Sequence, residues 1–213
     1  MGKGLFIVLE GIDGAGTTTQ ARRLAEWLEA QGRVVMLTAE PTDGPVGQII
    51  RQILQGRLTR GDTGEPVAAD ETTMALLFAA DRSYHLQNII LPALGAGKVV
   101  VSDRHYISSV AYQSVGVEMA WVETLNARFR RPDLTVMLDI APEASLRRKQ
   151  AQGQPAERYE KLRTLEAVRA GYLEAIEHAR AAGERIDILD GDGGIDAIEA
   201  RIRELVAPVL ASE

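Results

Sequence analysis

Ten residues near the start of the chain, Gly11-Ile12-Asp13-Gly14-Ala15-Gly16-Thr17-Thr18-Thr19-Gln20, limit what the rest can become. They follow the apolar run Leu5-Phe6-Ile7-Val8-Leu9 and precede a helical pattern carrying Leu24, Ala25, Trp27 and Leu28. A strand, a glycine turn and a helix N-terminus in that order gather backbone N–H groups at one point, where the helix dipole also favours an anion. The spacing fits the phosphate-binding P-loop pattern Gly-x4-Gly-Lys-Ser/Thr except at one position: Thr17 stands where the pattern has lysine. Thr18 takes the hydroxyl position that ligates Mg²⁺, a hard oxygen for a hard cation.

Five apolar runs read as buried strands: Leu5–Glu10, Val34–Thr38, Val99–Asp103, Leu134–Asp139 and Ile186–Leu189. Val99-Val100-Val101 and Thr135-Val136-Met137-Leu138 do not alternate with polar residues, which is the pattern of a parallel sheet covered on both faces. Helical segments are expected at Thr18–Ala30, Val46–Leu54, Asp70–Ala93, Val117–Phe129, Pro142–Gln150, Lys161–Ala182 and Asp196–Leu210. The alternation predicts an α/β fold: a three-layer P-loop sandwich with a five-stranded parallel sheet and helices on both faces, in one domain spanning residues 1–213. Ligands of such sheets bind beyond the carboxyl ends of the strands. The Gly11 turn, Glu40-Pro41, Asp103-Arg104 and Asp139 all fall there. Gln150–Glu157 is polar and interrupted by Gly153 and Pro155, so it reads as a lid or as an ordinary surface connection.

Composition narrows the field. A net charge of −6 argues against a broad grip on nucleic acid. The absence of cysteine excludes disulfides and thiolate metal sites. No apolar run approaches the roughly 20 residues of a membrane span, so no membrane partner is expected and the cytoplasm is the default location.

Two further segments bear chemistry. The run Val99–Asp103 ends in a carboxylate beside the glycine turn, where Asp103 can hold Mg²⁺ directly or through water. Arg104 can clamp a phosphate with its fork of donors. A helix-capping Asp beside a surface Arg is the plainer reading of the same pair. Phe78 and Arg82 are four residues apart and share a helix face. An aromatic ring with a cation one turn away suits a nucleotide base; a core Phe beside a solvated Arg fits the spacing equally.

Taken together these residues resemble the thymidylate kinase family, nucleoside monophosphate kinases that phosphorylate dTMP with ATP. The resemblance runs from about Gly4 to Val206. It rests on the Gly11–Gln20 turn, on Glu40-Pro41-Thr42 followed by Arg51, and on Phe78-Ala79-Ala80-Asp81-Arg82 with His85. It continues through Asp103-Arg104 to Ser108 and Ala111-Tyr112-Gln113, Arg131-Pro132-Asp133, and Glu157-Arg158-Tyr159-Glu160. The resemblance implies that Gly11, Ile12, Asp13, Gly14, Ala15, Gly16, Thr17, Thr18 and Thr19 bind ATP. It implies that dTMP meets Asp13, Pro41, Arg51, Phe78, Arg82, Arg104, Ser108, Tyr112 and Gln113. Phe78 stacks on the base, Arg82 and Gln113 contact its edge, Arg51 and Arg104 hold the acceptor phosphate, and Tyr112 lies against the deoxyribose. Asp13 lies near the sugar hydroxyl or the metal shell. Thr18 and Asp103 hold Mg²⁺. Arg147, Arg148 and Arg158 flank a lid at about 147–160 and approach the transferring phosphoryl, with Asp103 and Arg104 completing the catalytic set. Adenine packs after the fifth strand, at Asp190–Ile195. A homodimer is implied as well.

Thr17 departs from this pattern. Losing one preorganised donor from a phosphoryl-transfer site costs about 10²–10³ in rate. Either another cation, from among Arg147, Arg148, Arg158 and Lys149, substitutes for it, or the protein binds nucleotides as a pseudokinase or sensor. A kinase of the same fold with another nucleotide acceptor is the remaining alternative. Ala39, where many relatives have Arg, is a smaller departure.

Overall fold

The computed structural model describes residues 4–151 and 158–211, with side chains throughout except at 158–161. Five strands, β1 (Leu5–Glu10), β2 (Val35–Ala39), β3 (Val99–Asp103), β4 (Leu134–Asp139) and β5 (Ile186–Asp190), form one parallel sheet in the order β2-β3-β1-β4-β5. Every residue of β1 and β3 is buried, as two covered faces demand. Side chains of β1 alternate between two apolar clusters. Phe6 and Val8 join Val100, Leu86, Ile90 and Ala93. Leu5, Ile7 and Leu9 join the larger cluster, which takes Leu24, Val110, Tyr172 and Ile202 from four different helices.

The α-helices among the described residues are α1 (Thr17–Ala30), α2 (Pro45–Leu54), α3 (Glu71–His85), α4 (Leu91–Gly95), α5 (Tyr106–Gln113), α6 (Met119–Asn126), α7 (Pro142–Ala151), α8 (Arg158–Ala181) and α9 (Ile195–Ala211). The strand expectations hold to within a residue at each end. The single helix expected over Asp70–Ala93 is instead α3, a π-helical turn at Leu86–Ile90 and α4. Pro92 accounts for the break, because it has no N–H to offer the carbonyl four residues back. Asp70 caps α3, accepting from the Thr73 N–H at 2.7 Å. Helix α5 was not anticipated, and α6 begins at Met119 rather than Val117.

The chain runs from β1 toward β2 at one edge of the sheet and from the neighbouring β3 toward β4 at the other, so a crevice opens at the carboxyl ends of these two strands. The glycine turn fills that crevice. Gly14 and Gly16 hold φ of 82° and 96°, a left-handed conformation that glycine adopts without steric penalty. Of the expected lid, residues up to Ala151 belong to α7, and residues 152–157 lie outside those described.

Candidate active site

The turn between β1 and α1 brings Asp13 to the mouth of the crevice, and three side chains converge on its carboxylate. Arg104 Nη2 lies 2.7 Å from Oδ1, the Tyr112 hydroxyl 3.0 Å from the same oxygen, and Lys149 Nζ 2.7 Å from Oδ2. Burial pushes the Asp13 carboxyl up, but Arg104, Lys149 and Tyr112 outweigh it and hold it below the usual range. Burial also opposes the Arg104 charge. Tyr112, Tyr172, Asp13 and Asp103 more than offset this, so the guanidinium stays protonated.

Arg104 adopts a φ of 75°, rare for a residue with a side chain. Its N–H donates to the Leu9 carbonyl at 2.8 Å, and Ser102 Oγ donates to its carbonyl at 2.8 Å. Those bonds hold a backbone conformation that costs roughly 1–3 kcal/mol. Beneath it lies Glu10, the last residue of β1. It accepts from the His105 N–H at 2.9 Å, from the Ser108 hydroxyl and from the Tyr172 hydroxyl at 3.2 Å. Burial pushes the Glu10 carboxyl up to about 7, although Ser108 and Arg104 pull the other way. The sequence reading missed Glu10 and Tyr172. A charged residue closing an otherwise apolar run was the available signal for Glu10; Tyr172, on α8, offered none.

Thr18 and Asp103, the residues expected to hold Mg²⁺, lie in contact. Thr18 Oγ1 donates to Asp103 Oδ2, and Asp103 Oδ1 is buried with no hydrogen-bond partner. A hydroxyl and a carboxylate with a spare buried oxygen fit Mg²⁺, which keeps most of its waters and takes few protein ligands. Among the described residues, no group of three or more His, Asp or Glu side chains gathers to cage an ion. A cavity of about 470 Å³ opens beside Thr18 and Asp103, lined also by Arg22, Thr42, Arg51 and Tyr84.

Arg51 is drawn toward the turn by its bond to the Pro41 carbonyl. The turn is braced from α3, since Asp81 accepts from the Thr42 N–H at 2.7 Å and from its hydroxyl at 2.6 Å. Helix α2 passes so close that a Cβ on Gly47 would lie 2.0 Å from the Thr42 carbonyl oxygen.

Arg82 corrects the plainer reading of the Phe78 pair: it is not solvated. Its side chain is 1% exposed; Nη2 pairs with Glu40 at 2.7 Å and also faces Ser109 Oγ and the His105 carbonyl, while Nη1 donates to Asn126. Glu40 also faces Nδ1 of His85 and of His105, each at 3.0 Å. Phe78 is half-buried and belongs to neither apolar cluster. Arg82 thus has a bracing role that spacing did not reveal. Two of the expected base contacts, Arg82 through Nε and Gln113 through Oε1, keep a buried atom without a partner.

Helix α7 lies against the glycine turn. Ser145 Oγ donates to the Asp13 carbonyl, and Arg148 donates to the carbonyls of Ala15 at 3.3 Å and Gly191 at 2.8 Å. Arg148 therefore ties the turn to the loop after β5, where the resemblance puts adenine. Arg147 is exposed, and the side chain of Arg158 lies outside those described.

A glycine turn at the switch point of a parallel sheet, a Thr–Asp pair beside it and an arginine facing it define a P-loop protein. The family profile described as thymidylate kinase matches residues 9–202. Similar proteins include a probable thymidylate kinase of Pyrococcus abyssi, 46% identical over 82% of this chain and 84% of its own length. A probable thymidylate kinase of Thermococcus gammatolerans is 41% identical over 98% and 99% of the two chains. A thymidylate kinase of Ruegeria pomeroyi is 39% identical over 96% of this chain and 95% of its own. The chain belongs to the thymidylate kinase family.

Proposed function

We propose that the chain catalyses transfer of the γ-phosphoryl group of ATP to the phosphate of dTMP, giving dTDP and ADP. One observation carries this reading: Arg104, the expected acceptor-phosphate ligand, lies 2.7 Å from Asp13 of the donor turn. A phosphate held by Arg104 and one held by the turn's amides are then neighbours, and phosphoryl transfer depends chiefly on such positioning. Gly11–Thr19 cradles the ATP phosphates, and Arg148 braces the adenine side. Phe78 offers its ring to the thymine, with Gln113 and the Nε edge of Arg82 at the base. Tyr112, fixed by Asp13, lies under the deoxyribose, with Ser108 behind Arg104, and Arg51 with Pro41 closes the phosphate end. Thr18 and Asp103 would hold Mg²⁺, which supplies positive charge to the phosphate oxygens when bound. The acceptor phosphate is already ionised at neutral pH, so no side chain needs to act as base.

The sensor alternative draws only on Thr17, and nothing among the relatives favours it. Helices α2 and α3 pack together and leave Ile49, Leu54 and Leu76 exposed, which supports pairing of two copies through this side. No helix among the described residues is long and apolar enough to cross a membrane. The nucleotide substrates suit a cytoplasmic enzyme. Steady-state assays with ATP, Mg²⁺ and a panel of dTMP, dUMP, dCMP, dGMP and deoxynucleosides test the proposal. Preference for dTMP is expected, and a clear preference for another acceptor overturns it. Binding of both nucleotides without dTDP in a single-turnover assay would favour the sensor.

A further inference from the structure

We infer that Lys149, reaching in from α7, supplies the positive charge that Thr17 leaves out of the glycine turn; this rests on the phosphoryl-transfer reading. Thr17 is 6% exposed and brings a hydroxyl only. Lys149 Nζ lies 2.7 Å from Asp13 Oδ2, inside the same turn. The lysine stem crosses Gly14, where a Cβ would come within 3.5 Å of Lys149 Cγ and 3.1 Å of the Ser145 carbonyl oxygen. The bareness of Gly14 thus lets α7 approach.

Lys149 is not held by one contact. Ser145 and Arg148 pin the preceding turn of α7 to the backbone of Asp13, Ala15 and Gly191, so the helix delivers the ammonium to a set place. Among the described side chains, the other candidate cations have different duties. Arg148 serves carbonyl oxygens and Asp192, and Arg147 is exposed. Arg104 is committed to Asp13 Oδ1, with Ser108 and Tyr172 each 3.4 Å from its Nη1. Asp13 therefore separates two charges, Arg104 toward the acceptor and Lys149 toward the donor. An ammonium carries three donors on a flexible stem, so it can keep Asp13 and still reach a phosphate oxygen. During transfer the bond from the γ-phosphorus to the ADP oxygen breaks and a bond to the dTMP phosphate oxygen forms. Lys149 takes part in neither bond and transfers no proton.

The test compares variants of the full chain once wild-type turnover is established, so that failure of the kinase reading itself is seen first. Lys149→Met is expected to lower kcat about 10²–10³-fold while the dTMP Kd moves less than about threefold. Lys149→Gln, which keeps a polar head without charge, should fall as far, and Lys149→Arg should recover part of the loss. In the Lys149→Met background, Thr17→Lys should restore kcat by at least about tenfold, because the charge returns from the turn instead of from α7. Thermal melting of each variant checks that the fold persists. A Lys149→Gln enzyme within about threefold of wild-type kcat overturns the inference. So does a loss that Thr17→Lys leaves untouched in a folded double variant.

Discussion

Arg82 donates to Glu40 at 2.7 Å with both side chains removed from water. The pair ties α3 to the turn after β2, and His85 and His105 complete the carboxylate's shell. Burial pushes Glu40 up, but Arg82 and the histidines outweigh it and hold the carboxyl well below its usual range. Removing one partner of a buried pair strands the other. Arg82→Met should therefore destabilise the protein by about 3–5 kcal/mol. Urea unfolding at neutral pH measures this, and a loss below about 1 kcal/mol would mean water reaches Glu40.

Arg104→Lys keeps a charge beside Asp13 but loses the planar fork. The expected result is a kcat lower by about 10²–10³-fold, with ATP affinity little changed. Steady-state kinetics and ADP titration calorimetry separate the two effects.

Stripping divalent cations with EDTA should abolish turnover, and added Mg²⁺ should restore it. Asp103→Asn should raise the Mg²⁺ concentration for half-maximal rate by more than about tenfold, as removal of a charged ligand at a hard-cation site does. Thr18→Ala should act in the same direction.

Glu10 makes a pH prediction with a definite sign. Its carboxyl moves from an ordinary 4.5 to about 7 in the folded protein. Between those values the folded state binds the proton and the unfolded state does not, so this group's contribution falls as pH rises through the window, by about 3 kcal/mol in all. His105 works in the opposite sense, since burial keeps its imidazole from protonating despite Glu40. Asp13 and Glu40 act only at lower pH, where their carboxyls protonate. The readout is thus the difference between wild type and Glu10→Gln. The wild type should lose stability relative to the variant between pH 5 and 7.5, measured by urea unfolding at each pH.

The sheet was legible because its strands are unbroken apolar runs, a signal that survives without knowledge of their neighbours. The edges drifted at β2 and β5, where burial is incomplete. Helix α5 was illegible for the opposite reason. All its residues except Tyr112 are buried, so it shows no polar face and no helical period. The glycine turn, with Thr18 on it and Asp103 at the strand end beside it, followed from the order of strand, turn and helix; the contact of Arg104 with Asp13 had to be seen in the fold. The bonds among Glu10, Ser108 and Tyr172 did not, because they join residues up to 162 positions apart through the packing of α5 and α8. Lys149 was visible only as one of several cations after β4; choosing among them required the orientation of α7.

The backbone at residue 104 has one further consequence. Glycine would relax there, yet glycine has no guanidinium. Backbone ease and the proposed grip on an acceptor phosphate therefore favour different amino acids at a single position, and the side chain's bond to Asp13 is what keeps arginine there at rest.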